Sequence, residues 1–307
     1  MAAVLNSNVA SLWASKNLQG AQSKMAESVE RLSSGLRINR ASDDAAGLGI
    51  ANALTQQING ANQGIRNLND GISMVQTAEG AIAAAQEMAQ RIVTLATQGS
   101  NGTLGDADRT AIRSEMRQLL VAIDGISSRT KFSGNSLLAQ PIAGTGTGFT
   151  LQVSNNTTDT ISLGEAAFRI IGTGVNGANT IVGGDTGWTT GQASALADQV
   201  NALTNADNTV VETRANQLLV LGAAKTYIEN LSTQRSLLGA YQNQIEFTVS
   251  NVTELSSNLS AARSSVQDTD YASETASLTK GQILQQAATA MLAQANQMPN
   301  VILTLLK

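Results

Sequence analysis

The residue types that carry most catalytic and metal chemistry are missing from this sequence, which contains no His and no Cys. Such a chain has no thiolate nucleophile, no imidazole base and no thiolate or imidazole metal ligand. Among the carboxylates, the adjacent pair Asp43 and Asp44 has the most suggestive spacing. An adjacent pair can bind a cation, but this one follows Ser42 and precedes a helical pattern. We therefore interpret Ser42 as a helix N-cap and the two carboxylates as partners of the positive end of the helix dipole.

A glycine pattern at residues 172–177, Gly-Thr-Gly-Val-Asn-Gly, matches the spacing of the dinucleotide-binding fingerprint. That fingerprint requires a helix to begin inside the turn, because the helix N-terminus binds the pyrophosphate. The next residues, Ala-Asn-Thr-Ile-Val-Gly-Gly, are typical of a strand and a turn. The sequence therefore predicts a glycine-rich turn here, and it predicts no catalytic residue, no cofactor and no metal site.

Charge and hydropathy exclude two further classes of partner. The chain carries 19 Lys and Arg against 23 Asp and Glu, without the basic cluster that nucleic-acid binding requires. The uncharged stretch from Gly281 to Leu306 has the length of a membrane span, but it contains Gln and Asn throughout, and amides are costly in hydrocarbon. We interpret this stretch as an interface segment. The first residues, Met-Ala-Ala-Val-Leu-Asn-Ser-Asn, do not have the basic leader and long apolar run of a signal peptide.

The elements that position these residues are mostly helical. Residues 1–38 form an amphipathic pattern, followed by a polar break at 39–44. From about Asp44 to Thr97 the apolar residues repeat with heptad spacing. Position a is occupied by Ala51, Ile58, Ile65, Ile72, Glu79, Gln86 and Val93, and position d by Leu54, Ala61, Leu68, Val75, Ile82, Ala89 and Ala96. Except for Glu79 and Gln86 these positions are apolar, so the pattern predicts a helix roughly 80 Å long that needs a partner helix.

Glycines at positions 60, 64, 71 and 80 interrupt this long helix. Each weakens an isolated helix by about 1 kcal/mol, so we expect tertiary packing to stabilise it. A loop at 98–105 precedes a shorter helix over about 107–130, which we expect to fold back on the long one. Its apolar face consists of Ile112, Met116, Leu119, Leu120 and Ile123.

The middle of the chain changes character. Residues 149–153 and 160–163 predict a β-hairpin, and residues 168–171 and 180–182 predict further short strands. Helical periodicity resumes near Gln192. Apolar residues then recur every seven positions, at Ala224, Leu231, Leu238, Ile245, Val252 and Leu259, with Tyr227, Tyr241 and Leu255 at the d positions. This second seam is the predicted partner of the first.

A second polar break at 268–270 and a final helix to about Gln297 mirror the N-terminal plan. The predicted fold class is mainly α, a long antiparallel coiled-coil helix bundle formed by both chain ends, with a small β-rich central region at the distal tip. The predicted domains are residues 1–41 with 263–307, residues 42–165 with 215–262, and a small variable outer region at 166–214.

Three blocks of sequence resemble the signatures of bacterial flagellins. Residues 31–50 read Arg-Leu-Ser-Ser-Gly-Leu-Arg-Ile-Asn-Arg-Ala-Ser-Asp-Asp-Ala-Ala-Gly-Leu-Gly-Ile, and residues 69–81 read Asn-Asp-Gly-Ile-Ser-Met-Val-Gln-Thr-Ala-Glu-Gly-Ala. Residues 279–296 read Thr-Lys-Gly-Gln-Ile-Leu-Gln-Gln-Ala-Ala-Thr-Ala-Met-Leu-Ala-Gln-Ala-Asn. With a lesser match at 238–244, the resemblance covers about 1–165 and 215–307.

The resemblance implies a structural protein, the self-polymerising subunit of the flagellar filament used for swimming, and not an enzyme. It implies an extracellular location reached through the flagellar type III export machinery, without a cleaved signal peptide and with an export chaperone. The implied partners are further copies of the chain, the filament cap and the hook–filament junction proteins. The terminal segments are implied to form an inner coiled-coil tube and the heptad helices an outer one.

We predict that the apolar residues of the terminal helices form the subunit interface. They are Leu18, Met25, Leu32 and Leu36 near the N-terminus and Ile283, Leu284, Met291, Leu292, Val301 and Leu305 near the C-terminus. A lone pair of these helices leaves an apolar face open, so we expect both ends to be disordered in the monomer and to fold on assembly.

The resemblance also implies a surface formed by Arg91, Leu95 and Glu115. In flagellins that animal Toll-like receptors detect, an Arg, a Leu and a Glu at these places contact the receptor, which makes such a receptor a candidate partner. Val93 and Thr94 stand where that pattern has charged residues. We therefore interpret contact between neighbouring protofilaments as the primary role of this surface.

Three alternatives stay open. A hook–filament junction protein shares the logic of the two ends, and copy number would distinguish it. A flagellin-like surface adhesin would use the middle segment, where Trp188 is a candidate binding residue. An enzyme hosted in that segment is the third, and the lack of His and Cys disfavours it.

Overall fold

The protein is mainly helical in a computed structural model that describes residues 8–138, 148–168 and 214–305. The helices are α1 (Val9–Ser34), α2 (Ala45–Gly99), α3 (Asp106–Arg129), α4 (Arg214–Gln267) and α5 (Tyr271–Leu305). The strands are β1 (Lys131–Phe132), β2 (Asn135–Ser136), β3 (Phe149–Gln152) and β4 (Thr160–Leu163), followed by a 3-10 helix at Glu165–Phe168. Long helices from both chain ends and a small β-region between them in sequence confirm the predicted fold class.

The chain divides into two compact units. The terminal unit comprises residues 1–59 and 256–307, and the central unit residues 60–255. These boundaries fall inside α2 and α4, whereas the predicted boundaries lie at 41/42 and 262/263. A division by contacts does not test the predicted domains, which remain a prediction. Most of the predicted outer region, 166–214, lies outside the described residues.

The α2 side of the central core is rotated relative to the predicted seam. The d-row residues Ala61, Leu68, Val75, Ile82, Ala89 and Ala96 are buried, as predicted, but so is the neighbouring row Ala78, Ala85 and Ile92. The a-row residues Ile65, Ile72, Glu79, Gln86 and Val93 are only half-buried. The difference arises because α2 is covered by α3 and the β-region as well as by α4. The polar residues of the a row therefore lie at the edge of the core.

Helix α4 supplies the predicted second seam. Ala224, Leu231, Leu238 and Ile245 are fully buried and Val252 nearly so. Arg235 contacts Glu79, while Gln217 lies against Gly99, so α4 runs antiparallel to α2 within this unit. The prediction of a partner helix is confirmed, although Leu255, assigned to the seam, is 47% exposed. On α3 the predicted apolar face is also confirmed, since Ile112, Met116, Leu120 and Ile123 are buried.

The predicted β3–β4 hairpin is confirmed, with Phe149 opposite Leu163 and Gln152 opposite Thr160. It lies against three of the α2 glycines. A Cβ atom at Gly64 would lie 1.6 Å from the Val153 carbonyl oxygen, and one at Gly71 would lie 2.3 Å from Leu151 Cδ1. Asn67 Nδ2 also donates to the Gln152 carbonyl oxygen over 3.0 Å. The glycines that weaken α2 as an isolated helix thus create the groove that the hairpin fills.

Two β-features differ from the prediction. β1 and β2 form a small hairpin that was not predicted, and positive φ angles at Ser133 (51°) and Gly134 (85°) are typical of a type I′ turn. The strand predicted from Phe168 onward is wrong at that residue, which ends the 3-10 helix and packs edge-to-face on Phe149 at 5.3 Å between ring centroids. Residues 169–171 and 180–182 lie outside the described residues.

In the terminal unit the two polar breaks bind each other. α1 ends at Ser34 and not at residue 38, because Gly35 adopts a left-handed φ of 73° and its N–H donates to the Arg31 carbonyl. Beyond it, Leu36 forms an antiparallel bridge with Asp268. The Arg37 N–H donates to the Gln267 carbonyl at 2.7 Å, and the Thr269 N–H donates to the Gly35 carbonyl at 3.0 Å. We call residues 35–38 and 266–269 the clasp.

Two helix termini correct the sequence interpretation. The N-cap of α2 is Asp44 and not Ser42, because Asp44 Oδ1 accepts the Gly47 N–H at 2.8 Å. Helix α5 was expected to end near Gln297, ahead of Pro299, but it continues to Leu305. Proline removes one backbone donor from a helix and disfavours the interior, yet it does not end this one.

We expect Gly64→Ala to destabilise the central unit by about 1–3 kcal/mol, because the new methyl group overlaps the Val153 carbonyl. Gly80→Ala is the matched control, since no atom lies within 4 Å of its Cβ position. It should stabilise the unit by about 0.5–1 kcal/mol through helix propensity. Urea unfolding of the full chain, followed by circular dichroism, measures both. Equal stabilisation by the two substitutions would contradict the close packing of the hairpin on α2.

Candidate functional site

The terminal helices α1 and α5 approach each other through small residues. Asn8 lies beside Ala295 and Arg31 beside Glu274, so the two helices are antiparallel. The buried residues recur every seven positions on both: Ala14, Ala21 and Ser28 on α1, and Gly281, Ala288 and Ala295 on α5. A Cβ atom at Gly281 would be in van der Waals contact with Met25 Cβ, at 3.5 Å. We call these six residues the small-residue seam.

Close approach through small side chains leaves the large apolar ones outside the seam. Leu12 is 67% exposed, Trp13 62%, Ile283 60% and Met291 62%. Trp13, Leu284 and Met291 line an open groove of about 890 Å³ between the helices. Lys16 Nζ lies 5.8 Å from the centroid of the Trp13 ring. An exposed apolar surface of this kind is typical of a surface that contacts another molecule.

The predicted interface residues divide between the two environments. Leu18, Met25 and Leu32 of α1 and Leu292 of α5 are half-buried, as is Leu36 in the clasp. Ile283, Leu284 and Met291 are exposed. Val301 and Leu305 belong to α5, and their side chains lie outside the described residues. The sequence interpretation missed the seam because it scored large apolar residues. The seven-residue recurrence of Ala, Ser and Gly was the signal that could have revealed it.

Polar contacts fix both ends of the helix pair. Near one end, Asn8 Nδ2 donates to the Ala295 carbonyl at 2.7 Å and Ser11 Oγ donates to Asn296 Oδ1 at 3.0 Å. Toward the other end, Arg31 Nη1 lies 3.8 Å from Glu274 Oε2. The clasp follows directly, where Arg37 Nη2 donates to the Val266 carbonyl at 2.7 Å. These bonds set the register in which the two helices pair.

The carboxylates of Asp43 and Asp44 accept hydrogen bonds from backbone N–H groups of nearby residues. Asp43 Oδ2 accepts the N–H groups of Arg40 and Asn39 at 2.9 and 3.0 Å. These two hydrogen bonds, the Arg40 one foremost, hold the pKa of Asp43 below its ordinary value of 3.8. The interpretation of the pair as capping residues is confirmed for Asp44, which caps α2, whereas Asp43 binds the backbone before the helix.

Metal and membrane features can be stated for the described residues. Within the ranges 8–138, 148–168 and 214–305, no group of three or more acidic residues is placed to hold a metal ion. In the same ranges, no helix has the length and apolarity needed to cross a membrane. The glycine pattern at 172–177 lies outside the described residues.

The surface predicted from Arg91, Leu95 and Glu115 is only partly formed. Arg91 Nη2 and Glu115 Oε1 make an exposed ion pair at 2.7 Å that joins α2 to α3. Leu95, in contrast, is 1% exposed and belongs to the central core. The prediction that Leu95 reaches the surface is therefore wrong. Its position in the inner row of α2 directs the side chain inward, whereas Arg91 lies on the outer side.

A helical subunit whose paired ends leave large apolar side chains uncovered belongs to the class of proteins that assemble with further chains. Two family models match this chain: the bacterial flagellin N-terminal helical region over residues 5–142 and the bacterial flagellin C-terminal helical region over residues 221–306. The chain is 38% identical to the flagellin of Bacillus subtilis, with 99% of each chain covered. It is 33% identical to polar flagellin F of Vibrio parahaemolyticus, with both chains covered completely.

Among solved structures, the fold is similar to that of a protein described as flagellar hook-associated, from Vibrio parahaemolyticus. The TM-score is 0.56, the identity 14%, and the match covers 74% of this chain and all of the other. This likeness shows the fold alone. The chain belongs to the bacterial flagellin family. It is a structural subunit that polymerises into the flagellar filament, the extracellular organelle of swimming motility.

We expect Ala21→Leu to raise the monomer concentration that remains unpolymerised by about tenfold or more. Overpacking the small-residue seam costs about 1–3 kcal/mol, and 1.4 kcal/mol corresponds to a factor of ten. Ala21→Ser is the matched control, because Ser28 occupies an equivalent seam position, and it should polymerise almost normally. Sedimentation of seeded polymer measures the unpolymerised fraction. If both variants behave like the parent chain, the two helices are not closely packed in the filament.

Proposed function

We propose that the exposed apolar residues of α1 and α5 are the contact by which one subunit binds the next in the filament. The proposal depends on one observation in the terminal unit, namely that small residues are buried between the helices and large apolar residues are exposed. The small-residue seam joins the two helices, while Leu12, Trp13, Ile283 and Met291 are left to solvent. Burial of a Leu, Ile or Met side chain contributes about 1.5–3 kcal/mol, so a few such residues favour association strongly.

The same difference in burial between small and large side chains supports folding of α1 and α5 on assembly. In a lone subunit, α1 and α5 fully bury only small side chains, while their large apolar side chains are at most half-buried. The resulting burial energy is small compared with the loss of conformational entropy. When further copies cover the large side chains, the balance changes in favour of the helices. We therefore infer that the terminal helices are stably folded only in the filament.

The assembly proposal predicts that Ile283→Ser prevents polymerisation while the central unit stays folded. Ile283 is 60% exposed, so the substitution removes apolar area without disturbing the small-residue seam. Gln282→Ser, at the neighbouring exposed position, is the control and should form normal filaments. Negative-stain electron microscopy of seeded monomer reads out assembly, and circular dichroism reads out folding. Normal filaments from Ile283→Ser would refute the assignment of this surface.

We further propose that the Arg91–Glu115 pair contributes to the contact between protofilaments and, in an animal host, to detection by a Toll-like receptor. Support comes from its exposure, with 53% of the Arg91 side chain and 46% of the Glu115 side chain accessible. Leu95 belongs to the core beneath this surface and does not contribute to it directly.

Arg91→Ala should weaken both filament stability to heat and receptor signalling in reporter cells. Arg66→Ala is a matched control, because Arg66 is also exposed on α2 and its guanidinium donates to Gln63 on the same helix. Unchanged signalling by Arg91→Ala would exclude the receptor role. Unchanged filament melting would exclude the protofilament role.

Membership of the flagellin family supports the remaining partners. We propose export through the flagellar type III machinery with an export chaperone, and contact with the filament cap and the hook–filament junction proteins. With neither His nor Cys in the chain, we also infer that it has no catalytic role. The alternative of a junction protein predicts a short ring, whereas a filament subunit predicts many copies along the flagellum. Immunogold labelling distinguishes the two.

A further inference from the structure

Two polar residues interrupt the apolar seam of α2, and both bind α4. Arg235 Nη2 lies 3.3 Å from Glu79 Oε1, and Arg235 Nη1 donates to Gln86 Oε1 at 3.1 Å. Gln86 Nε2 in turn donates to Ser232 Oγ at 3.3 Å. One guanidinium thus bridges two consecutive a positions of α2, and we call Glu79, Gln86, Ser232 and Arg235 the polar layer.

The polar layer is partly withdrawn from water. The exposed fraction of the side chain is 41% for Arg235 and 35% for Glu79, and Arg235 Nε is buried without a hydrogen-bond partner. Ion pairs in such positions add little stability compared with apolar residues of similar volume, because desolvation offsets the attraction. Stability alone does not account for the charges, so a different physical role is needed.

The apolar part of the interface does not specify a register. Ala224, Leu231, Leu238, Ile245 and Val252 recur every seven residues on α4, and the buried residues Leu68, Val75, Ile82 and Ala89 do so on α2. Sliding one helix along the other by seven residues, about 10 Å, brings apolar rows opposite apolar rows again. Each slipped pairing still buries apolar residues of both helices, and burial energy is non-directional, so apolar burial by itself discriminates weakly among the registers.

Polar contacts distinguish these registers. A slip of seven residues in one direction keeps Arg235 beside Glu79 but puts Ile72 in place of Gln86, so Gln86 loses its guanidinium partner. A slip in the other direction keeps Arg235 beside Gln86 but puts Val93 in place of Glu79, so Glu79 faces Gln242 and loses its counter-charge. A slip in either direction therefore breaks the polar layer and leaves polar groups partly buried without their partners, which is costly.

We propose that Arg235 is the specificity-determining residue of the central unit, whose binding to Glu79 and Gln86 selects one register of α4 on α2. A single polar contact in an apolar seam sets register in this way in coiled coils. Selection of one register matters for a self-assembling protein, because many identical apolar seams are brought together at high local concentration. All subunits have the same shape only if α4 pairs with α2 in the same register in each of them.

Another polar tie also connects α4 to its surroundings. The Gly164 N–H donates to the Tyr241 hydroxyl at 3.1 Å, which links α4 to the residue that follows β4. The test is therefore carried out with Tyr241→Phe in every variant, which removes this hydrogen bond. The buried amides Gln217 and Gln234 of α4 are kept in every variant, so the variants differ only in the polar layer. Tyr241→Phe by itself should keep the native register.

The chain contains no Cys, so a pair of cysteines introduced at Gln90 and Asn243 takes two spin labels without background. Both positions are exposed, and they lie at different levels along the antiparallel pair. We expect one narrow distance in the Tyr241→Phe chain by pulsed electron paramagnetic resonance. Adding Glu79→Leu and Arg235→Leu should produce a second population, shifted by up to about 10 Å, with an unchanged or higher Tm.

Two controls separate register from stability. The charge swap Glu79→Arg with Arg235→Glu should restore one narrow distance, because the pair is re-formed with reversed polarity. Leu238→Ala should lower Tm, since it removes a fully buried side chain, yet keep one distance. A single unshifted distance in the double-leucine variant overturns the proposal. A second distance in Leu238→Ala equal to that of the double-leucine variant overturns it as well.

Discussion

A long helix in water depends on having its apolar stripe covered along its length, and the two units of this protein meet that constraint differently. In the central unit α2 is covered by α3, α4 and the β3–β4 hairpin, so its inner rows from Leu68 to Ala96 are buried. In the terminal unit α1 and α5 fully bury only small residues, and their large apolar residues are at most half-buried. The large side chains beside them need further copies of the chain, and this need links the fold to polymerisation.

Small residues act in both units as sites of close approach. Gly60, Gly64 and Gly71 admit the hairpin to the backbone of α2, and Gly281 lies against Met25 in the small-residue seam. At the three α2 glycines a residue that weakens an isolated helix permits a contact that a larger side chain would block. The loss of helix stability and the gain in tertiary packing occur at the same residue, so helix propensity alone predicts these positions wrongly.

Periodicity identified most of the elements because it reports a local property. The apolar face of α3, the seven-residue repeat of α4 and the alternating β3–β4 hairpin were all predicted from neighbouring residues and are confirmed. The candidate site was predicted less well. Interface residues were chosen for size, so Ile283 and Met291 were identified but Ala14, Ala21 and Ala288 were not. Leu95 was assigned to a surface, although its row on α2 faces the core.

The sequence by itself therefore determined the helical class, the flagellin resemblance and the exclusion of His and Cys chemistry, since these follow from composition and short-range spacing. Tertiary structure decided which rows of each helix face inward, that the breaks near Leu36 and Asp268 bind each other, and that Arg235 bridges Glu79 and Gln86. The physical reason is that these contacts join residues far apart in the chain. A pattern that repeats every seven residues fits several rotations and registers, and only the positions of the partner helices select one.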